Sequence, residues 1–164
     1  FMDATKMWQG RGEKQLGVPA GFIVSLHGDA EMAILKYESS AWPNEDSNLD
    51  YKQLGYEFDT DGFPIFAYQM GNSKVSNKFV PSMTNRGLKR EITISGSSDI
   101  WLKVADGCEI QKLPDGTFVV NNESYFVDFE GSELEPKIRK SGEIDELVVK
   151  IPSGEQQLEY SIIW

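Results

Sequence analysis

The sequence has one cysteine, Cys108, and one histidine, His27. A lone cysteine forms no disulfide within the chain, and no CxxC or CxxCH segment is present for zinc or haem attachment. A lone histidine removes most zinc-site and triad chemistry, so neither a metal site nor a catalytic residue is assigned from the sequence. Basic residues are also scarce, 16 against 26 acidic ones, for a net charge of −10. Such a balance repels phosphate backbones and anionic membrane faces, which argues against nucleic acid as a partner. No apolar run approaches membrane-spanning length, so no membrane insertion is expected. Helix signals are missing as well: no window carries a sustained i, i+3, i+4, i+7 apolar stripe behind a cap.

What is present is turn chemistry and short apolar segments. The 164 residues include 15 glycines, 7 prolines and 12% aromatics, enough for one well-buried domain and too few for two. Leu88, Arg90, Ile92 and Ile94 alternate with Lys89, Glu91 and Thr93, the period of a strand with one buried face. Comparable segments are Phe22–His27, Glu31–Tyr37, Gln53–Phe58, Ile65–Met70, Ser73–Val80, Ile100–Val104, Glu109–Leu113, Thr117–Val120, Ser124–Phe129, Lys137–Lys140, Glu146–Ile151 and Leu158–Trp164. Turns separate them at Gly28-Asp29-Ala30, Gly71-Asn72, Asp106-Gly107, Pro114-Asp115-Gly116 and Asn121-Asn122. Ser39–Asp50 reads as a long loop around Trp42-Pro43, and Tyr160–Trp164 reads as a closing core strand at a C-terminus. The expectation is a single all-β domain over residues 1–164, an antiparallel β-sandwich of roughly a dozen short strands.

Few side chains suggest chemistry. Asp59-Thr60-Asp61-Gly62 resembles the start of a calcium loop, but Met70 stands where the closing Glu belongs and strands flank it, so a hairpin turn is expected. In Trp8-Gln9-Gly10-Arg11-Gly12, two glycines bracket an arginine suited to a carboxylate or phosphate; tethering this segment is the plainer role. Arg90 shares the face of Leu88 and Ile92, where a charge requires a partner: an acid on a neighbouring strand by default, a ligand otherwise. Arg139 lies in a similar strand setting. Trp8, Trp42, Tyr51 and Trp101 offer a sugar-stacking platform if exposed, or core and interface packing if not. Cys108 is expected to pack as a small hydrophobe, His27 to be solvated or satisfied in the core, and Asn122-Glu123-Ser124 matches the short glycosylation acceptor pattern. Trp8, Arg11, Trp42, Arg90 and Arg139 are thus the candidate ligand or docking residues.

Four stretches in order suggest a family: Phe1-Met2-Asp3-Ala4 with Trp8–Gly12; Leu54–Phe58 with Gly62–Tyr68; Gly87-Leu88-Lys89-Arg90; and Glu146–Val149 leading to Tyr160–Trp164. Together they resemble the C-terminal β region of large bacterial c-type cytochrome proteins that also carry a propeller like that of PQQ-dependent sugar dehydrogenases. The resemblance implies a non-catalytic accessory domain of an exported, periplasmic or cell-surface haem protein linked to sugar oxidation. It implies no cofactor in this chain, haem c being held in another domain of the parent, and a neighbouring haem or propeller domain as partner. It also implies that the β region begins upstream of Phe1, so that first strands are missing and an edge lies open. Two other functions stay open from the residues: a carbohydrate-binding module, and a hydrolase or lyase domain using a carboxylate pair.

Overall fold

The computed structural model describes residues 2–3, 18–19, 23–24, 26, 30–43, 51–129 and 131–164. Its strands are β1 (Met2–Asp3), β2 (Val18–Pro19), β3 (Met32–Ala33), β4 (Tyr51–Phe58), β5 (Pro64–Met70), β6 (Ser73–Pro81), β7 (Gly87–Gly96), β8 (Ile100–Gly107), β9 (Ile110–Lys112), β10 (Phe118–Val120), β11 (Tyr125–Asp128), β12 (Pro136–Ser141), β13 (Ile144–Ile151) and β14 (Gly154–Ile163). An eight-stranded sheet runs β4-β5-β6-β7-β14-β11-β10-β9 and a four-stranded one runs β12-β13-β8-β3; β1 and β2 form a separate pair. Every pairing is antiparallel, and the two larger sheets make the expected all-β sandwich.

Alternation places the core. On β7, Arg90, Ile92 and Ile94 are buried while Lys89, Glu91 and Thr93 are half-buried, and Tyr160 and Leu158 of β14 lie opposite Arg90 and Ile92. These meet Ile100, Leu102, Leu147, Val149 and Ile151 of the small sheet in one cluster. Strands β8 and β13 are buried on both faces, so their sequences read as near-continuous apolar runs with Lys103, Asp145 and Glu146 embedded in them.

Most expected strands appear with ends within a few residues. Glu31–Tyr37 differs: only Met32 and Ala33 pair with β8. The chain then turns, Ser40 donating its amide to the Tyr37 carbonyl, and delivers Trp42 to the outer face of the small sheet. Asp106-Gly107 also differs, because β8 continues through Gly107 and the turn falls after it. A side chain at Gly107 would collide with Asn121 Oδ1, the atom that accepts the Cys108 amide, so the backbone must pass bare there. The Phe22–His27 segment and its following turn fall largely outside the described residues.

Strand β4 is irregular at its centre. Its register against β5 runs Tyr51↔Met70, Lys52↔Gln69, Gln53↔Tyr68 and then Gly55↔Ala67, so Leu54 is an extra, bulged residue. Gly55 has φ +117°, a conformation that strains any residue with a Cβ. In an unbroken strand Gly55 and Glu57 would share the face of Tyr51 and Gln53. The bulge substitutes Tyr56 and Phe58, and so gathers the aromatics on one side.

Burial raises the phenol pKa values of Tyr68 and Tyr160 and pushes that of Tyr125 up to about 12. A group whose folded pKa is raised holds its proton more tightly folded than unfolded. Its contribution is complete below the ordinary tyrosine value near 10 and disappears as pH rises through the folded value. The urea midpoint is therefore expected to hold steady up to pH ~10 and fall above it, with the tyrosinate absorbance of these three rings appearing at higher pH than that of exposed phenols. Buried rings that ionise at the ordinary value near ~10 in the still-folded chain would contradict this.

Candidate functional site

Arg90 is buried, 7% exposed, at the centre of the large sheet's inner face. Its Nε donates to Asn77 Oδ1 at 2.9 Å, its Nη1 donates to the Tyr160 hydroxyl at 2.7 Å, and it forms an ion pair with Glu31. The guanidinium also lies 5.0 Å from the Phe79 ring centre. The expected acid is thus present but comes from the segment entering β3 in the other sheet. Arg90 ties the two layers together, and its donors are directed inward.

Arg139 is likewise engaged from within. Its Nε donates to Glu146 Oε2 at 2.6 Å, and its Nη1 donates to the carbonyls of Ser40, at 3.0 Å, and Glu38. Lys103 Nζ approaches Glu146 Oε1 at 2.9 Å and Asp106 Oδ2 at 3.7 Å. The row Arg139–Glu146–Lys103 crosses β12, β13 and β8 on the outer face of the small sheet, and Trp42 closes over it. The indole centre is 4.9 Å from Lys103 Nζ and 5.3 Å from the Arg139 guanidinium, and its Nε1 donates to the Ala30 carbonyl at 2.6 Å. Trp42 and Trp101, weighed as sugar platforms, are 8% and 4% exposed. Both are core residues, because the 30–43 segment folds over a sheet face that would otherwise expose a charged row. Arg139 is the clamp that holds this segment down. Trp8, Arg11 and His27 lie outside the described residues.

Asp59 caps the β4–β5 turn: its Oδ1 accepts the amides of Asp61 and Phe63, and Lys78 pairs with it at 2.7 Å. The lysine first, then the Phe63 amide, hold its carboxyl below the ordinary range. This is the expected hairpin turn. Among the described residues no group of three or more His, Cys, Asp or Glu side chains converges as metal ligands. Cys108, expected to pack, is exposed beside the Asn121 turn, where Asn121, Asn122 and Glu123 all adopt left-handed conformations.

An open groove of about 680 Å³ beside β7 and β14 carries Glu91, Glu133, Glu155 and Glu159. Lys89 sits 2.7 Å from Glu91 and 3.2 Å from Glu159, and its hydrogen bond is the first cause holding Glu91 below the ordinary carboxylate range. A proton-donating acid needs the opposite shift, so Glu91 is not suited to glycosidic acid catalysis.

The aromatic end of the large sheet is different in kind. Tyr56 and Phe58 are each 63% exposed and Phe66 is 37% exposed. Tyr56 contacts Phe58 at 5.6 Å and Phe66 at 6.1 Å, and Phe66 contacts Phe79 at 6.2 Å, beside Arg90. The rings thus continue the buried inner face outward, on the stretch of β4, β5 and β6 nearest the Asp59 turn. The Tyr56–Phe58 planes meet at 88° and the Phe66–Phe79 planes at 70°. The Tyr56–Phe66 planes meet at 43°, so the three rings make a corrugated rather than flat apolar surface. β4 is also an edge strand, paired on one side only among the described residues and exposed along nearly its whole length. Tyr56, Phe58 and Phe66 stand in the Leu54–Phe58 and Gly62–Tyr68 stretches that carry the family resemblance, but they are not among the candidate ligand or docking residues; the signal for the patch was their placement on either side of the Asp59 turn.

No protein-family model matches the chain, and no curated protein matches it.

Proposed function

We propose that this chain is a non-catalytic accessory and interaction domain of an exported, multidomain c-type haem protein linked to sugar oxidation. Its partner in this reading is the neighbouring haem or propeller domain, the haem being held there and not in this chain. The observation that supports an interaction role is the aromatic patch of Tyr56, Phe58 and Phe66. Large rings left in water beside a fully packed core are typical of a surface that a second protein covers. The charged groups inside the fold support the same reading, since Arg90, Arg139 and Glu146 serve packing between segments. The resemblance to the c-type cytochrome proteins carries the extracytoplasmic placement and the identity of the neighbour.

The test mixes the chain with the haem-bearing remainder of the parent and follows the haem Soret band through gel filtration. Co-elution with the chain is expected, and Tyr56→Ser with Phe66→Ser should weaken it at least tenfold without changing the melting of the chain by more than a few degrees. Separate elution contradicts the docking reading. A glycan that binds the chain and is lost in the same variant would instead favour the carbohydrate-binding module, with Tyr51 and Tyr56 as its exposed phenols.

A further inference from the structure

We infer that the edge of β4, unpaired among the described residues, pairs with β4 of a second copy of this chain, joining two eight-stranded sheets into one. Docking to a haem or propeller domain uses the side-chain face of the sheet and self-pairing uses the main-chain edge of β4, with Tyr56 and Phe58 bordering both.

Along an antiparallel ladder, successive residues turn their main-chain groups alternately to one side and the other. Asp59 donates its amide to the Phe63 carbonyl at 3.0 Å, so Glu57 and Gly55 also point at β5, opposite Ile65 and Ala67. Phe66, Tyr68 and Met70 then turn away from β4. Their register partners Tyr56, Gln53 and Tyr51 turn away from β5, to the open edge, as does Phe58.

The spacing of these four residues selects the occupant. Two residues, Leu54 and Gly55, separate Gln53 from Tyr56 where a regular strand has one. A regular partner strand loses register at that step, which is how a bulge protects an edge from indiscriminate pairing. A copy related by a two-fold axis perpendicular to the sheet does not. It places Tyr51 opposite Phe58 of the second copy and Gln53 opposite Tyr56 of the second copy, with bulge facing bulge. All four project on the inner side, as the Tyr51–Tyr68 contact at 5.3 Å and the Tyr56–Phe66 contact at 6.1 Å require. On the outer side the same register sets Lys52 against Glu57 of the second copy, and the symmetry repeats that pair. Opposite charges directly across an antiparallel pair attract, and like charges repel. The strand is therefore complementary to itself in register, in side-chain type and in charge.

Sedimentation velocity of the whole 164-residue chain, from about 1 μM to about 1 mM, tests this. The mass is expected to rise from 18.5 kDa toward twice that value. Lys52→Glu and Glu57→Lys, each confirmed folded by circular dichroism, should each weaken association at least tenfold by placing like charges across the axis twice. An equimolar mixture of the two should associate again, because both facing pairs are then of opposite sign, and the double variant should dimerise like the unaltered chain. A chain that stays monomeric throughout the range overturns the inference and leaves the edge to another occupant, such as an upstream strand of the parent. A dimer indifferent to both charge reversals, or a mixture that fails to associate, overturns it equally. Haem-domain binding through the aromatic face should not respond to either reversal.

Discussion

Glu146→Gln is expected to lower the unfolding free energy by about 3–5 kcal/mol. Glu146 is 1% exposed and stands between Lys103, 0% exposed, and the Arg139 guanidinium. The amide keeps the shape of the side chain and removes the charge both cations share. What is lost is not the worth of a surface ion pair, about 0–1 kcal/mol, but the neutralisation of two charges held away from water. Guanidinium denaturation checks the value. Lys103→Met combined with Glu146→Gln should be less destabilised than the sum of the two single changes, because the lysine removed was one of the two cations that lost the Glu146 carboxylate. Strict additivity would show that the row is not coupled.

Arg90→Lys is expected to lose about 2 kcal/mol, and Arg90→Met about 2–4 kcal/mol. The guanidinium makes its bonds from separate nitrogens: Nε reaches Asn77, and Nη1 reaches Tyr160 and Glu31. An ammonium at the same place is a point donor and cannot keep this geometry. Methionine fills much of the volume but leaves the Asn77 carbonyl and the Tyr160 hydroxyl buried without their donor, whereas Glu31, a third exposed, can turn to water. If Arg90→Lys melts with the unaltered chain, one charge at this position suffices and the fork is incidental.

The strand framework was legible because one buried face imposes a period of two, and Leu88 to Ile94 display it. β8 and β13 were recognised as strands but not as doubly buried, because Ile100-Trp101-Leu102-Lys103 contains a lysine that reads as a solvent residue. Only the return of Trp42 over the outer face, a contact across about sixty residues of sequence, makes Lys103 interior. Glu31–Tyr37 looked like a strand on composition, yet its pairing ends after Ala33 because the chain leaves to cover that face. At β4 the alternation breaks at Gly55, and a break in period gives no sign of which way the next residues are re-aimed; Tyr56 and Phe58 become an inner, exposed surface through a bulge that the pairing register alone reveals. Arg90 was legible as a charge needing a partner, while Glu31, just before β3, was not.

The claim that this chain works by being covered is tested most directly by hydroxyl-radical footprinting, comparing the isolated chain with the same chain inside the proposed multidomain haem protein at equal concentration. Tyr56, Phe58 and Phe66 are expected to be oxidised readily in the isolated chain and several-fold more slowly in the parent, while Met83, 93% exposed and outside the patch, reacts at the same rate in both. Equal oxidation of the three rings in the two settings would contradict it.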